Sequence, residues 1–324
     1  MSLVPTLTGP VPGADLGVTL LHEHLFVGHP ELDLNLPHPE WDEERVMDEA
    51  TRGLGGLAAL GVRTLVDLTV PGLGRDIDRV RALACQSEVR IVAATGYYTA
   101  DVLPAYFHTH GPGGIVGGED PLEHLFRTDL TVGIAGSSIR AAVIKVVSDS
   151  PGFTPDVTRV WRAAAVAHAE TGAPIMTHSH APSRGGLEQQ RVLAGLGVPL
   201  DRVVIGHAGD SDDLGYLREL AAGGSFLGFD RFGMEHIAPD QQRVRTLLTL
   251  LEEGLAEQIV LSHDAAFFSR ITPPSWRRRV VPNWRMDFLF DGVLPQLRAA
   301  GVDEATITTM LVDTPRRILA GESV

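Results

Sequence analysis

Short β-branched runs alternate with longer amphipathic stretches along this 324-residue chain, and eight such runs can be counted. Eight strand–helix alternations joined by short links predict a closed (β/α)8 TIM barrel rather than an open doubly wound sheet. Several runs are continuous hydrophobics bounded by Gly or Pro, as strands buried on both faces should be. Length agrees, because about 250 residues is usual for such a barrel and active-site loops add to it.

The strand candidates are residues 17–21, 64–69, 90–94, 142–147, 174–177, 202–206, 225–229 and 258–261. Helical patterns fill the intervals at 43–60, 75–84, 121–129, 155–171, 186–195, 212–222 and 239–253. A further one at 287–300 follows the eighth strand, and 303–320 reads as a terminal helix. No linker, low-complexity tract or repeat interrupts the series, so 1–324 is read as one domain. Two connections are long, at about 97–120 and 265–286. Both follow strands, and such loops at the C-terminal face of a barrel build its pocket.

Composition excludes several function classes. Hydrophobic residues are 44% and charged residues 21%, the make-up of a globular protein able to bury a large core. The formal charge of −14 disfavours nucleic acid as a partner and leaves no basic stripe for a membrane surface. No apolar run approaches the ~20 residues needed to span a bilayer. The single cysteine, Cys85, rules out a disulfide within the chain, and it reads as a small buried side chain on a helix. The N-terminal residues lack a basic start followed by an apolar core, so a cytoplasmic location is expected.

His22-Glu23-His24 follows the apolar run Gly-Val-Thr-Leu-Leu. Side chains alternate faces along a strand, so both imidazoles should project into one site while Glu23 faces away. Two converging imidazoles can hold a zinc-like ion. Further on, Lys145 lies within Ala-Val-Ile-Lys-Val-Val, His178 follows Pro-Ile-Met-Thr, His207 follows Val-Val-Ile-Gly, and Asp264 follows Ile-Val-Leu-Ser-His. Each falls at or near the C-terminal end of a strand candidate, where barrel chemistry sits. A lysine in a buried strand tends to shed its proton. The neutral amine can add carbon dioxide to give a carbamate, an anionic ligand able to bridge two cations. The bland alternative is a structural lysine paired with a barrel carboxylate.

The ordered set Gly-Val-Thr-Leu-Leu-His22-Glu-His24, Lys145, Thr-His178, Ile-Gly-His207 and Ser-His-Asp264 resembles the phosphotriesterase family of the amidohydrolase superfamily. More narrowly, it is similar to the phosphotriesterase-like lactonases. Supporting matches are Gly-Leu-Glu-Gln-Gln (186–190), Asp-Leu-Gly-Tyr-Leu (213–217), Gly-Phe-Asp-Arg-Phe-Gly (228–233) and Thr-Pro-Arg-Arg-Ile-Leu (314–319). The resemblance implies that His22, His24 and Asp264 hold the more buried of two divalent ions. His178 and His207 would hold the more exposed one, with carbamylated Lys145 and a hydroxide bridging the pair. Zinc suits these ligands first, with iron, cobalt or manganese as alternatives. Asp264 would take the proton of that hydroxide and pass it to the leaving oxygen.

In phosphotriesterases proper, a histidine after strand 7 and an acid after strand 6 relay the proton outward. The matching positions here are Arg231 and Asp210. Arginine stays protonated and cannot relay a proton by losing one, but it can pair with Asp210 and orient Asp264 or the substrate. Arginine at this place is a trait of the lactonase branch. Tyr98 matches the family tyrosine beside the exposed ion, with the adjacent Tyr97 as the alternative. The resemblance also implies a homodimer.

Other histidines carry weaker signals. His108-Thr-His110 sits in a Gly/Pro-rich loop, His180 is a candidate for the pocket mouth, and His263 should pack away from Asp264. Phe267, Phe268, Ile271, Trp276 and Trp284 could line a passage for an acyl chain, and Arg277–Arg279 reads as a solvated face. The expected activity is hydrolysis of lactone rings, of N-acyl homoserine lactones or other alkyl lactones, with promiscuous organophosphate triester hydrolysis. The rivals are a phosphotriesterase or carboxylesterase with another main substrate and, more remotely, a non-catalytic metal-binding barrel.

Overall fold

The structure, a computed structural model, describes residues 2–321, so the outermost residues of the 1–324 expectation lie outside the described residues. Strands β1 (Val18–Val27), β2 (Val62–Asp67), β3 (Arg90–Gly96), β4 (Val143–Val147), β5 (Ile175–His178), β6 (Val203–Ile205) and β7 (Phe226–Phe229) pair in sequence order. All neighbours run parallel, as strands joined by helical crossovers must. The eighth position is shared by two short segments. Strand β8 (Ile259–Leu261) pairs with β7, and β9 (Ala266–Ser269) pairs with β1, so the ring is closed by a split strand. This is the (β/α)8 barrel the alternation predicts.

Two apolar populations show the alternation directly. Leu21, Val66, Val92, Val143, Met176, Val204, Phe226 and Val260 form one buried cluster, the filling of the barrel. Their chain neighbours Leu20, Leu65, Ile91, Ile144, Ile175, Ile205, Leu227 and Ile259 belong to the other, packed beneath the helices. Continuous hydrophobic runs arise because both faces of every strand are covered.

Helices α1 (Glu43–Ala59), α2 (Ile77–Ala84), α3 (Pro121–Thr131), α4 (Pro155–Thr171), α5 (Gly185–Gly195), α6 (Leu214–Ala222) and α7 (Asp240–Glu252) surround the sheet. Local chemistry starts them. The side chains of Asp42, Asp76, Asp120, Thr154 and Asp213 each accept a first-turn N–H, and Pro121 and Pro155 stand at the first helical positions. The eighth helix is irregular, a π-helical turn (Leu289–Val293) running into Leu294–Ala299. The terminal stretch is likewise divided, into Glu304–Thr308, a π-helical Thr309–Asp313 and Thr314–Ala320.

Two expectations need correction, and two further details go beyond the sequence reading. Strand β1 does not end at residue 21 but runs on to Val27, because β9 supplies a partner for its second half. The Cys85 side chain is exposed: it caps the end of α2, one step beyond the buried Val80, Leu83 and Ala84 stripe. The 97–120 connection contains a short helix, Ala105–Thr109, and 265–286 contains β9 and the helix Pro274–Val280. Residues 2–12, unassigned from sequence, include a small antiparallel ribbon of Leu3–Val4 against Val11–Pro12.

Gly96 ends β3 beside Lys145, with φ of 134°. A Cβ placed there would lie 1.9 Å from the Lys145 carbonyl oxygen. Gly96→Ala must therefore push β3 and β4 apart at the height of the site. The expected cost is ~2 kcal/mol or more, from a forbidden backbone region plus a clash in the sheet. Chemical denaturation checks this, and an unchanged midpoint would contradict the close approach.

Candidate metal centre

The C-terminal strand ends converge on one point. A shift of register between β1 and β2, falling between Leu20 and Glu23, lets Leu21 and His22 both face inward. Bulges commonly re-aim side chains in this way beside active sites. His22 and His24 then share the barrel mouth, their rings edge to face at 5.9 Å. Glu23 points the other way and is fully buried. Lys145 sits two residues above the interior Val143 of β4, is 1% exposed, and brings its Nζ to 3.1 Å from His22 Nε2.

His207 and Asp264 reach the site by leaving extended geometry. They adopt φ of 63° and 54°, in the left-handed region that costs most side chains about 1 kcal/mol or more. Asp and His tolerate it better than most. Asp264 stands in the gap between β8 and β9 and donates its N–H to the His22 carbonyl at 3.0 Å.

Distances describe the cluster. Asp264 Oδ1 is 3.1 Å from His24 Nε2 and 3.6 Å from His22 Nε2, and Oδ2 is 3.8 Å from His207 Nε2. His207 Nε2 lies 3.0 Å from His178 Nδ1. Ligand atoms set tetrahedrally around an ion at ~2.1 Å lie roughly 3.4 Å from one another, so these separations fit cation cages.

Outer partners fix which ring nitrogens are free. The Nδ1–H groups of His22 and His207 both donate to Asp230, at 2.7 and 2.9 Å, and the His207 backbone N–H adds a third bond at 2.9 Å. His24 Nδ1 is hydrogen-bonded to Thr69 Oγ1 at 2.9 Å, and His178 Nε2 lies 3.3 Å from Asp149 Oδ2. His22 and His24 are left with Nε2, His207 with Nε2 and His178 with Nδ1, all turned to the common point. A carboxylate behind a ligating imidazole is the usual second partner in metal sites. His22, His207 and Asp230 also form a close acidic–histidine group, but its contacts are these hydrogen bonds rather than an ion cage.

Burial sets the charge states. It lowers the imidazoles of His22 and, further, His207, and takes His178 down to about 4, leaving their lone pairs available at neutral pH. Burial also lowers the Lys145 ammonium to about 8, with Asp264 and Asp230 opposing the shift. For Asp264 burial favours the neutral acid, but His22, His24, His207 and Arg231 outweigh it and hold the carboxyl well below its ordinary range. The same competition, won by His207 and His22, keeps Asp230 ionised.

Arg231 bridges two acids. Its Nε donates to Asp264 Oδ2 at 3.0 Å, and one terminal nitrogen donates to Asp210 Oδ2 at 3.1 Å. Asp210 is in turn gripped by buried Arg243 at 2.6 Å. Tyr98 meets His178 edge to face at 5.9 Å, while Tyr97 packs on Phe107 at 5.2 Å. Burial, then Asp264, pushes the Tyr98 hydroxyl up to about 12.

A cavity of about 240 Å³ opens over the cluster, walled by His22, His24, Tyr98, Lys145, His178, Arg231 and Asp264 on the polar side. Met234, Ile237, Ile271 and Trp284 supply its apolar side. Of the proposed acyl passage, Ile271 and Trp284 reach this cavity. Phe267 lies over Gly53 and faces a separate groove of about 460 Å³ that holds none of the candidate ligands. Phe268 meets Trp41 edge to face at 4.7 Å, and Trp276 rests against His236. The pleat explains the division, since successive residues of β9 face opposite ways.

The Arg277–Arg279 run is not uniformly solvated. Arg277 is buried and donates to the Ala266 and Phe267 carbonyls, whereas Arg278 and Arg279 are exposed. His180 turns to Ser183, His108 to Asp156, and His110 stacks on Tyr106, so none of the three joins the cluster. Sequence reasoning missed Asp230, Asp149 and Thr69 as partners of the candidate ligands. Asp230 was within reach of it, as an acid directly after the strand 7 run. Thr69 and Asp149 carry no sequence signal.

Known proteins share this chain's sequence and fold over nearly its whole length. A phosphotriesterase homology protein of Mycobacterium tuberculosis is 48% identical over 313 residues, covering 97% of this chain and 96% of that protein. An aryldialkylphosphatase of Saccharolobus solfataricus is 35% identical, covering 96% of this chain and 97% of that one. The solved phosphotriesterase from Mycobacterium tuberculosis superposes with a TM-score of 0.95 over 98% of each chain at 48% identity. A mutant of the Deinococcus radiodurans PTE-like lactonase gives 0.88 at 33% identity, covering 98% of this chain and 99% of that one. The phosphotriesterase family model matches residues 1–319, and the chain belongs to that family.

Proposed function

We propose that this ester-bond hydrolase is a lactonase whose triester hydrolysis is secondary. The observation that carries the reading is Arg231, ion-paired to both Asp264 and Asp210 where triester hydrolases relay a proton through histidine. Tyr98 over the cavity and the 33% identity to a PTE-like lactonase support it. The family is binuclear and metal-dependent. His22, His24 and Asp264 would hold one ion, His178 and His207 the other, with carbamylated Lys145 between them.

Two such ions, zinc or a similar divalent metal, supply Lewis acidity and a water nucleophile at neutral pH. The chain's own groups do the rest. Asp264, ionised and facing His22 and His24 through Oδ1, accepts the nucleophile's proton. Arg231 stays protonated between its two acids and fixes Oδ2, so the carboxylate turns as one unit and cannot pass its proton to this neighbour. Tyr98 keeps its proton and can donate a hydrogen bond to the ring oxygen or carbonyl of a substrate. Ile237, Ile271 and Trp284 offer an apolar side against which the alkyl part of a substrate can rest. The lone, unpaired cysteine suits a reducing cytoplasm.

Three outcomes test the proposal. The ratio of kcat/KM for an alkyl or acyl homoserine lactone to that for paraoxon should exceed about 100, a transition-state preference of roughly 3 kcal/mol. A ratio below one makes triester hydrolysis the main activity. Lys145→Ala should lose most turnover and regain part of it with a small carboxylate. At fixed dissolved CO2, recovery of the metal-free wild type should quicken as pH rises through about 8, because the amine is uncharged above that value. Recovery that slows across that range contradicts the carbamate. Tyr98→Phe should reduce lactone kcat/KM by about tenfold, the loss of one hydrogen bond to a polar group, and triester kcat/KM by less. Equal losses on both substrates would make Tyr98 a packing residue.

A further inference from the structure

Strand pairing fails around Asp264, and one side chain repairs it. The last ladder bond from β7 is Ser262 N–H to the Phe229 carbonyl at 3.1 Å, and pairing with β1 resumes at Ala266. Between them the Asp264 N–H reaches the His22 carbonyl, and the Ala265 carbonyl receives the His24 N–H at 2.8 Å. That leaves the N–H groups of His263 and Ala265, one on each side of the left-handed Asp264. Both are taken by Glu23. Its Oε1 lies 3.0 Å from His263 N, and its Oε2 lies 3.0 Å from Ala265 N.

The same Oε1 accepts the His263 ring Nδ1–H at 2.7 Å. His263 Nε2 accepts the Leu289 backbone N–H at 3.0 Å, which fixes the ring proton on Nδ1. Both side chains are fully buried. Trp284 Nε1–H donates to the His263 and Asp264 carbonyls at 2.9 and 3.2 Å, so the wall of the cavity is fastened to the same few residues.

We infer that Glu23 and His263 are a positioning pair that holds the Asp264 backbone in its left-handed turn and so aims its carboxylate. Neither touches the cavity or the candidate ligand atoms. Their action runs through the backbone at 263–265. A buried N–H left without an acceptor costs ~1–3 kcal/mol, enough to release a residue held in a strained conformation. The inference rests on the reading of Asp264 as ligand and proton acceptor.

Glu23→Gln is the sharpest variant, because it preserves shape and one acceptor while turning an NH2 toward a backbone N–H. In the metal-free protein, amide exchange should accelerate at Ala265 and its neighbours while the other strands keep their protection. With zinc restored, kcat should fall about 10- to 100-fold, as for loss of an outer partner of a metal ligand. KM should stay within about threefold, because the substrate contacts remain. Zinc affinity should weaken in parallel. Glu23→Gln added to Asp264→Asn should cost little more than Asp264→Asn alone. His263→Asn, which keeps a donor toward Glu23, should recover most of the activity that His263→Leu loses.

Unchanged Ala265 exchange with unchanged zinc affinity overturns the inference. So does acceleration spread over all strands, which marks general destabilisation, or losses from Glu23→Gln and Asp264→Asn that multiply in full. A wild-type protein without lactone or ester turnover would remove the proposed function, while exchange and zinc affinity would still decide the role of Glu23.

Discussion

A closed ring of parallel strands must join its last strand to its first, and here that joint is where the candidate ligands gather. The eighth strand pairs with β7 through residues 259–261 and with β1 through 266–269, and the chain turns sharply between them. Asp264 occupies the turn with φ of 54°. A continuous strand would direct successive side chains alternately into the barrel filling and the helical layer. The break instead sends a carboxylate to the point where His22, His24 and His207 converge. Closure of the fold and assembly of the site are one constraint.

Electrostatics follows from the same geometry. Removing so many ionisable groups from water is costly unless each is paired or uncharged. Asp230 is paired by two imidazoles and a backbone N–H, and Asp210 by Arg231 and Arg243. Arg231 then ties Asp210 to Asp264. Lys145 has no carboxylate within ion-pairing distance among the described residues; its nearest polar contact is an imidazole nitrogen at 3.1 Å. Burial therefore drives it toward the free amine, the form that carbamate chemistry requires. A structural lysine would need a carboxylate partner, and the nearest candidates, Asp264 and Asp230, act on Lys145 from beyond ion-pairing distance.

The candidate ligands were legible because each follows a short β-branched run. His22, His178, His207 and Asp264 all stand just past apolar residues, and that position marks the functional face of a barrel. Tyr98 and Tyr97 were separable only through their neighbours, since adjacency in sequence says nothing about which ring turns inward. Thr69 and Asp149 escaped notice because a hydrogen bond between distant segments leaves no local pattern. Phe267 and Phe268 were assigned together to an acyl passage, but they lie on a strand, where consecutive side chains cannot share a face.

The amino-acid sequence determined the barrel, the order of its strands and the residue types available at their tips. Periodicity and turn chemistry are local, so these properties survive reading one segment at a time. Tertiary structure decided the bulge that turns His22 inward, the split of the eighth strand, and the burial that lowers the Lys145 ammonium to about 8. It also decided that Glu23, read only as facing away, should cap the backbone on both sides of Asp264. Each of these depends on segments hundreds of residues apart competing for the same buried hydrogen bonds, and that competition is settled only when the ring closes.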